Sequence, residues 1–293
     1  MTRMIVMTPS FRGDHELCAD LNRSVLSCTG PEVEHHLVVP RRDLRLFATL
    51  DGPRTVLRAE EDFLPRSFVA LPWVNYTVSL RAPFPPVRGW IKQQILKLAA
   101  VARTDADVVV MVDSDIQFIR PFTASTFLRD GVVRFYRQPG GVDAHLPRHV
   151  IWHQVARTLL GLPTASPPHP DYVSSLLAWS PGLLRELLER VEHTSGVPWP
   201  VAVGRQLHFS EWTLYGVYVD EVAGPPATAF AADRSLCHSY WDEVPLDERT
   251  AAAFLDGLAP DDIAVMISAK SRTPLAVRRA ALRAVSAAAP DAQ

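Results

Sequence analysis

The sequence predicts an α/β fold with a mostly parallel central sheet, and three observations predict it. Apolar runs of strand length alternate with helical segments across roughly the first 120 residues. The run Val108–Val112 (VVVMV) is continuous and largely β-branched, the pattern of a strand covered on both faces. Just before it, Gly89–Arg103 (GWIKQQILKLAAVAR) places Ile91, Ile95, Leu98 and Ala102 on one helical face, with Lys92, Gln93 and Lys97 elsewhere.

The elements follow in order. Met4–Met7 (MIVM) reads as a buried strand stopped by Thr8-Pro9-Ser10. Leu17–Leu26 has helical spacing, His36–Pro40 (HLVVP) reads as a second short strand and Phe68–Leu71 as a third. After the strand at Val108–Val112, Trp, Tyr, His and Pro crowd Pro139–Trp241, a less regular stretch. Ser180-Pro181 opens a helix through His193, with Gly196 placed to end it. Ser210 is placed to cap a short helix with Glu211 in its first turn. Later come the short run Ala227–Ala232 and the apolar run Ile263–Ile267, and the Ala-rich tail from Ser286 (SAAAPDAQ) is expected to fray. The division expected is an α/β half over residues 1–135 and a less regular half over 136–293, both of one compact domain.

Composition excludes several classes. With 293 residues, 47% hydrophobic and 21% charged, the chain is an ordinary globular one and not a disordered one. A net charge of −2 gives no basic face for nucleic acid. Twenty-five prolines against fourteen glycines point to stiff, ordered loops. Cys18, Cys28 and Cys237 form no C-x-x-C, so reduced thiols are expected. The apolar run near the N-terminus is too short for a signal peptide and no stretch is long enough to span a membrane, so a soluble cytoplasmic protein is expected.

The strongest motif is Asp113-Ser114-Asp115 directly after the buried strand. Carboxylates at the carboxyl end of a parallel strand stand where open α/β sheets place ligands. If the backbone stays extended, Asp113 and Asp115 share a face. Two like charges held that close repel, and a divalent cation relieves them; hard oxygens suit Mg2+ or Mn2+. Such ions keep water or phosphate ligands, so a diphosphate partner follows. The plainer reading is that the two acids cap a turn.

The order of strand, helix GWIKQQILKL and VVVMVDSDIQF resembles the nucleotide-sugar-dependent glycosyltransferases of the GT-A fold. Within them it is most similar to a bacterial group with an N-terminal S-F-R-x-D, a G-W-x-x-Q-Q-x-x-K helix and D-S-D, matched in stretches from Thr8 to Lys270. The resemblance implies a Rossmann-like GT-A sheet, with residues 1–135 binding the nucleotide sugar and 136–293 binding the acceptor and carrying the catalytic residue. It implies that Thr8, Pro9 and Ser10 contact the nucleoside, joined by Arg12 and Asp14. Asp113 would bind ribose or metal-bound water, next to Ser114, and Asp115 the metal directly, with His238 completing the metal shell. Gln94 or Lys97 would reach the donor, and Lys270 the diphosphate as a point charge. Glu211 would be the general base that takes the acceptor's proton in an inverting transfer. Trp212 and Tyr215 fit sugar stacking, and Ser174, Ser175 and Trp179 would line the acceptor pocket. The activity implied is a Mn2+- or Mg2+-dependent transfer from a UDP- or GDP-sugar to a hydroxyl of a small natural product, an aminoglycoside-like compound or a cell-surface glycan.

Four other readings stand beside it. A retaining GT-A enzyme shares the D-x-D and lacks a dedicated base. A D-x-D phosphohydrolase would use Asp113 as nucleophile and Asp115 as acid/base, although Gln117 stands where that class has Thr or Val. A carbohydrate-binding protein without turnover fits the Trp and Tyr content. A Rossmann dehydrogenase is disfavoured, since no G-x-G-x-x-G follows Met4–Met7. The histidines His35, His36, His145, His149 and His153 read as surface or structural residues, because Val150 stands where H-E-x-x-H needs its acid.

Overall fold

Every residue from Met4 to Pro9 is buried, because this strand lies in the middle of a sheet with helices on both faces. The computed structural model describes residues 2–70, 76–80 and 82–288. The elements that position the site are, in chain order, β1 (Met4–Pro9), α1 (His15–Cys28), β2 (Glu34–Val39), β3 (Thr55–Ala59), α2 (Gly89–Ala102), β4 (Val108–Val112), β5 (Ile116–Phe118), α3 (Pro147–Leu159), β6 (Leu176–Trp179), α4 (Pro181–Ser195), α5 (Glu211–Tyr218), β7 (Cys237–Tyr240), α6 (Glu248–Leu255), β8 (Ala264–Ile267) and α7 (Leu275–Ala288).

The main sheet has the order β6-β4-β1-β2-β3. β1 pairs in parallel with β2 and β4, and β2 with β3; β6 alone runs antiparallel, against β4. The fold is therefore the mostly parallel α/β sheet that the sequence predicts. Strand order reverses between β1 and β4, so their carboxyl ends part there and leave the crevice in which such sheets hold ligands. The register Met7↔Met111 brings Thr8–Ser10 level with Val112–Ser114 at that crevice.

Strand alternation decides which way each side chain points. Val108, Val110 and Val112 pack with Leu21 and Val25 of α1, whereas Val109 and Met111 pack with Ile91, Ile95 and Leu98 of α2. A smaller sheet, ordered β7-β8-β5, lies beside the first. One of its faces gives Cys237, Ala264 and Met266 to the core under β4; the other gives Val265, Ile267 and Tyr240 to a cluster with α6 and α7.

Helix ends follow the local chemistry. Ser180 accepts a hydrogen bond from the N–H of Leu183 at the start of α4, Pro181 fills the first position, and Gly196 ends the helix at φ +67°. Ser210 accepts from the N–H of Thr213 at 3.2 Å, so α5 starts at Glu211. The strand expected at Phe68–Leu71 forms over Phe68–Ala70; Leu71 lies outside the described residues. It pairs with Tyr76–Ser79, which pairs in turn with Ala82–Arg88, in an antiparallel meander leading straight into α2. The last of these (APFPPVR) hides from propensity because of its prolines, and it is tolerated as the meander's edge strand. Of the tail expected to fray, Ser286–Ala288 continue α7 as helix, and residues 289–293 lie outside the described residues. Among the described residues no helix is long and apolar enough to cross a membrane, and Cys18, Cys28 and Cys237 are free thiols.

Candidate active site

The crevice is built from three chain segments: the end of β1, the turn after β4, and the loop after β8. Ser114 Oγ donates to Ser10 Oγ at 2.9 Å, tying the first two together. The strand does not continue through the D-S-D. It ends at Val112, and the N–H of Ile116 reaches back to the carbonyl of Asp113 at 3.3 Å, closing a turn. The expectation that both acids project from one extended face is corrected accordingly. Asp113 keeps the direction of Val109 and Met111, toward α2. Asp115 is carried round to the β8 loop, where its Oδ2 accepts the N–H of Ala269 at 2.7 Å.

The acids still feel each other. Burial, followed by the Asp113 charge, pushes the Asp115 carboxyl up to about 6, against the Ala269 N–H and the Arg278 guanidinium that favour its charged form. Burial and Asp113 raise Asp14 as well. Arg278 from α7 is 5% exposed, and its guanidinium donates to the carbonyls of Ile267, Ser268 and Thr273, so it shapes the loop that grips Asp115. Nothing in the motif-based reading pointed to Arg278, because it sits far along the chain in an Ala/Arg-rich helix.

Lys97 is the cation at the centre of the arrangement. It is 5% exposed, with its Nζ 3.0 Å from Asp113 Oδ1, 3.3 Å from Glu211 Oε1, and 4.8 Å from the centre of the Trp212 ring. Both contacts are ion pairs, and Asp113 Oδ1 has no hydrogen-bond partner among the described residues. Burial alone would lower Lys97, but the two carboxylates outweigh it and hold the ammonium above its ordinary value. Glu211 is 2% exposed, and burial raises its carboxyl despite Lys97. The first turn of α5 is fixed from α2: Gln94 Oε1 accepts the N–H of Glu211 at 2.9 Å, and the indole N–H of Trp90 donates to the carbonyl of Phe209 at 3.3 Å.

Several residues expected to touch ligands face elsewhere. Thr8 points to the α1 side by strand alternation and is completely buried, its hydroxyl bonded to His35, which is bonded in turn to Asn22. Pro9 is buried at the end of β1. Gln94 is buried and spent on Glu211 and the carbonyl of Trp90, so it does not reach into the crevice. Trp179 and Tyr215 stack on each other inside the core, 5.4 Å apart. Ser174 and Ser175 are buried against Ser235 and Ser239, at 2.7 and 2.8 Å. His238 lies on the face of β7 opposite Cys237. Its ring stacks on Phe254 of α6 at 4.2 Å, and its Nε2 bonds to the carbonyl of that residue at 2.8 Å. Alternation along β7 thus turns it away from Asp115.

Other expected residues do border the crevice. Lys270 is exposed, one residue beyond the N–H that binds Asp115. Arg12 is held by its N–H and Nε on the buried Asp43, at 3.0 and 2.9 Å. Glu211, expected to face an acceptor, is 2% exposed; the neighbouring Trp212 is half-buried, and its buried indole N–H has no hydrogen-bond partner among the described residues.

The donor set suits a hard divalent cation held by few protein ligands. Among the described residues no three His, Cys, Asp or Glu side chains converge on one point. Asp113, 39% exposed, and Asp115 offer carboxylate oxygens, which fit Mg2+ or Mn2+ taking its remaining ligands from phosphate and water.

Residues 6–253 match the model of a family of unknown function, DUF6492. The chain belongs to that family. No curated protein matches this DUF6492 member in sequence. Its fold is similar to that of the bifunctional glycosyltransferase WbbM in its apo structure, with TM-score 0.50 and 11% identity. That match covers 90% of this chain and 45% of WbbM, so the chain spans less than half the length of that protein. An active-site mutant of LgtC aligns over 99% of this chain and 98% of its own at 14% identity and TM-score 0.47. The apo form of mouse xyloside xylosyltransferase 1 aligns over 94% and 100%, at 11% and 0.45. The DUF6492 chain thus has the GT-A-like fold that its sequence resembles.

Proposed function

We propose that this protein is a glycosyltransferase that moves a sugar from a nucleotide diphosphate donor to a hydroxyl acceptor, with Mg2+ or Mn2+ held by Asp113 and Asp115. One observation carries the reading: two carboxylates that feel each other's charge follow the end of β4, where the sheet order reverses, with the buried Lys97 against Asp113. When bound, the cation supplies positive charge to the departing diphosphate. Asp113 turns its exposed side to the crevice, Asp115 is oriented by the Ala269 N–H, and Lys270 adds a second positive charge on the same rim. A UDP- or GDP-sugar is the donor we infer, and a glycan or small natural product the acceptor.

The stereochemistry turns on Glu211. A general base has to come within hydrogen-bond reach of the acceptor hydroxyl. Glu211 is buried and paired to Lys97, so its role here is counter-charge to that ammonium, and transfer with retention, which needs no dedicated base, is the course we infer. The test is to supply UDP- and GDP-sugars with Mn2+ and to follow release of the nucleotide and the anomer of the product. Release of nucleotide diphosphate with a retained anomer is expected. An inverted product returns Glu211 to the role of base; phosphate release from aryl phosphates with every nucleotide sugar left intact replaces the reading with a phosphohydrolase.

A further inference from the structure

Of the two aromatic side chains expected to stack on sugar, Tyr215 packs on Trp179 in the core, and the half-buried Trp212 meets the Lys97 ammonium with its ring. Trp90 is 51% exposed in the first turn of α2 and, unlike the exposed Phe11, Tyr76 and Trp241, stands on the helix that carries Lys97. Its position is not accidental to the site. Trp90, Gln94 and Lys97 are spaced i, i+4, i+7 and line one helical face. All three reach the same segment, at the carbonyl of Phe209, the N–H of Glu211 and the carboxylate of Glu211. This ladder descends from solvent to the buried ammonium beside Asp113. By helical rise, Trp90 stands about 10 Å along the axis from Lys97, whose Nζ is 3.0 Å from Asp113 Oδ1.

The indole is held for contact and is not merely left over. Its N–H is engaged by the Phe209 carbonyl, which fixes the ring on its edge and leaves an apolar surface in water. Leu207, 52% exposed, comes two residues before Phe209, with its carbonyl accepting from the Arg88 guanidinium at 3.4 Å, and His208 between them is exposed. A flat apolar face with polar groups at its rim matches one ligand chemistry well: a pyranose ring, whose C–H face stacks on the indole while its hydroxyls meet the rim. We propose that Trp90 is the platform on which the acceptor's sugar ring rests, which makes the acceptor a glycoside or oligosaccharide. This rests on the glycosyltransferase reading, and it names the acceptor class that the reading leaves open.

The experiment titrates neutral oligosaccharides and aryl glycosides into the wild-type protein and into Trp90→Ala, Trp90→Leu and Trp90→Phe. Saturation-transfer NMR reads binding, and the thermal shift given by UDP or GDP with Mn2+ is measured in parallel. At least one saccharide is expected to bind the wild type and to bind Trp90→Ala and Trp90→Leu roughly tenfold more weakly, with Trp90→Phe restoring most of the loss. The nucleotide shift is expected to be the same in all four proteins, which also verifies their folding. Equal saccharide binding by Trp90→Ala, a Leu variant as good as Phe, or no saccharide binding by a wild type that binds nucleotide overturns the platform. Loss of nucleotide binding by the wild type itself overturns the underlying reading instead.

Discussion

Replacing Lys97 by Met removes the one positive charge that, among the described residues, pairs with Asp113 and Glu211 together. The two ion pairs differ in weight. Asp113 is 39% exposed, so water screens it and takes over when Lys97 is gone. Glu211 is 3% exposed at its side chain, so it is left charged in a dry site or must take up a proton. Breaking a buried pair from one side costs about 3–5 kcal/mol, and the discount for Asp113 puts Lys97→Met near about 3 kcal/mol. Glu211→Gln alone leaves Lys97 with Asp113 and should cost about 1–2 kcal/mol. The double variant should cost no more than Lys97→Met, because the neutral amide has no charge to strand, which makes the coupling about 1–2 kcal/mol. Urea unfolding followed by circular dichroism measures the cycle. The sign in pH is also fixed. Burial raises the Glu211 carboxyl in the fold, the more so without Lys97, so the folded single variant binds the proton more tightly than the unfolded chain. Its deficit should shrink as pH falls through the raised folded-state value of Glu211 and widen as pH rises through it. Additive costs within about 0.5 kcal/mol, with no pH trend, would refute the central role given to this ammonium.

Two further outcomes follow from the same geometry. His238→Phe should leave nucleotide and metal binding unchanged and lower stability by about 1 kcal/mol through the lost bond to the Phe254 carbonyl, as thermal-shift titrations with Mn2+ and UDP will read; a lost Mn2+ response would put His238 back in the metal shell. Burial depresses His35 to about 3, below its unfolded value, so the unfolded chain binds the extra proton and stability should fall as pH drops from about 6.5 toward 3, by up to about 1.4 kcal/mol per pH unit relative to a His35→Gln variant, measured by guanidinium melts. Parallel profiles for the two proteins would contradict the buried neutral imidazole.

What was legible in the sequence is what local chemistry decides. The β-branched run Val108–Val112 is a strand, the helix of the G-W-x-x-Q-Q-x-x-K pattern ends one residue before Arg103, and Ser180, Gly196 and Ser210 cap where their side chains or glycine freedom suit them. The meeting of the D-S-D turn with Ser10, through Ser114, was legible too, since both follow the carboxyl ends of buried strands. Facing was not. His238 and Trp179 sit among apolar neighbours, and whether such a residue looks into a crevice or into a core depends on which strand edge pairs with what. The turn at Asp113 is set by β8, more than a hundred residues away, and no local signal carries it. Glu211 illustrates both sides: its place at the helix start was readable, its burial against Lys97 was not.

The central claim is that Asp113 and Asp115 hold a cation for a nucleotide diphosphate. Calorimetric titration of UDP and GDP into the protein with and without Mn2+, repeated on Asp115→Ala, tests it most directly. At least one nucleotide should bind the wild type only with the metal and fail to bind the variant, whose melting temperature without ligand should stay close to the wild type's. Binding that is indifferent to both chelator and Asp115→Ala, or no binding of either nucleotide, would contradict it.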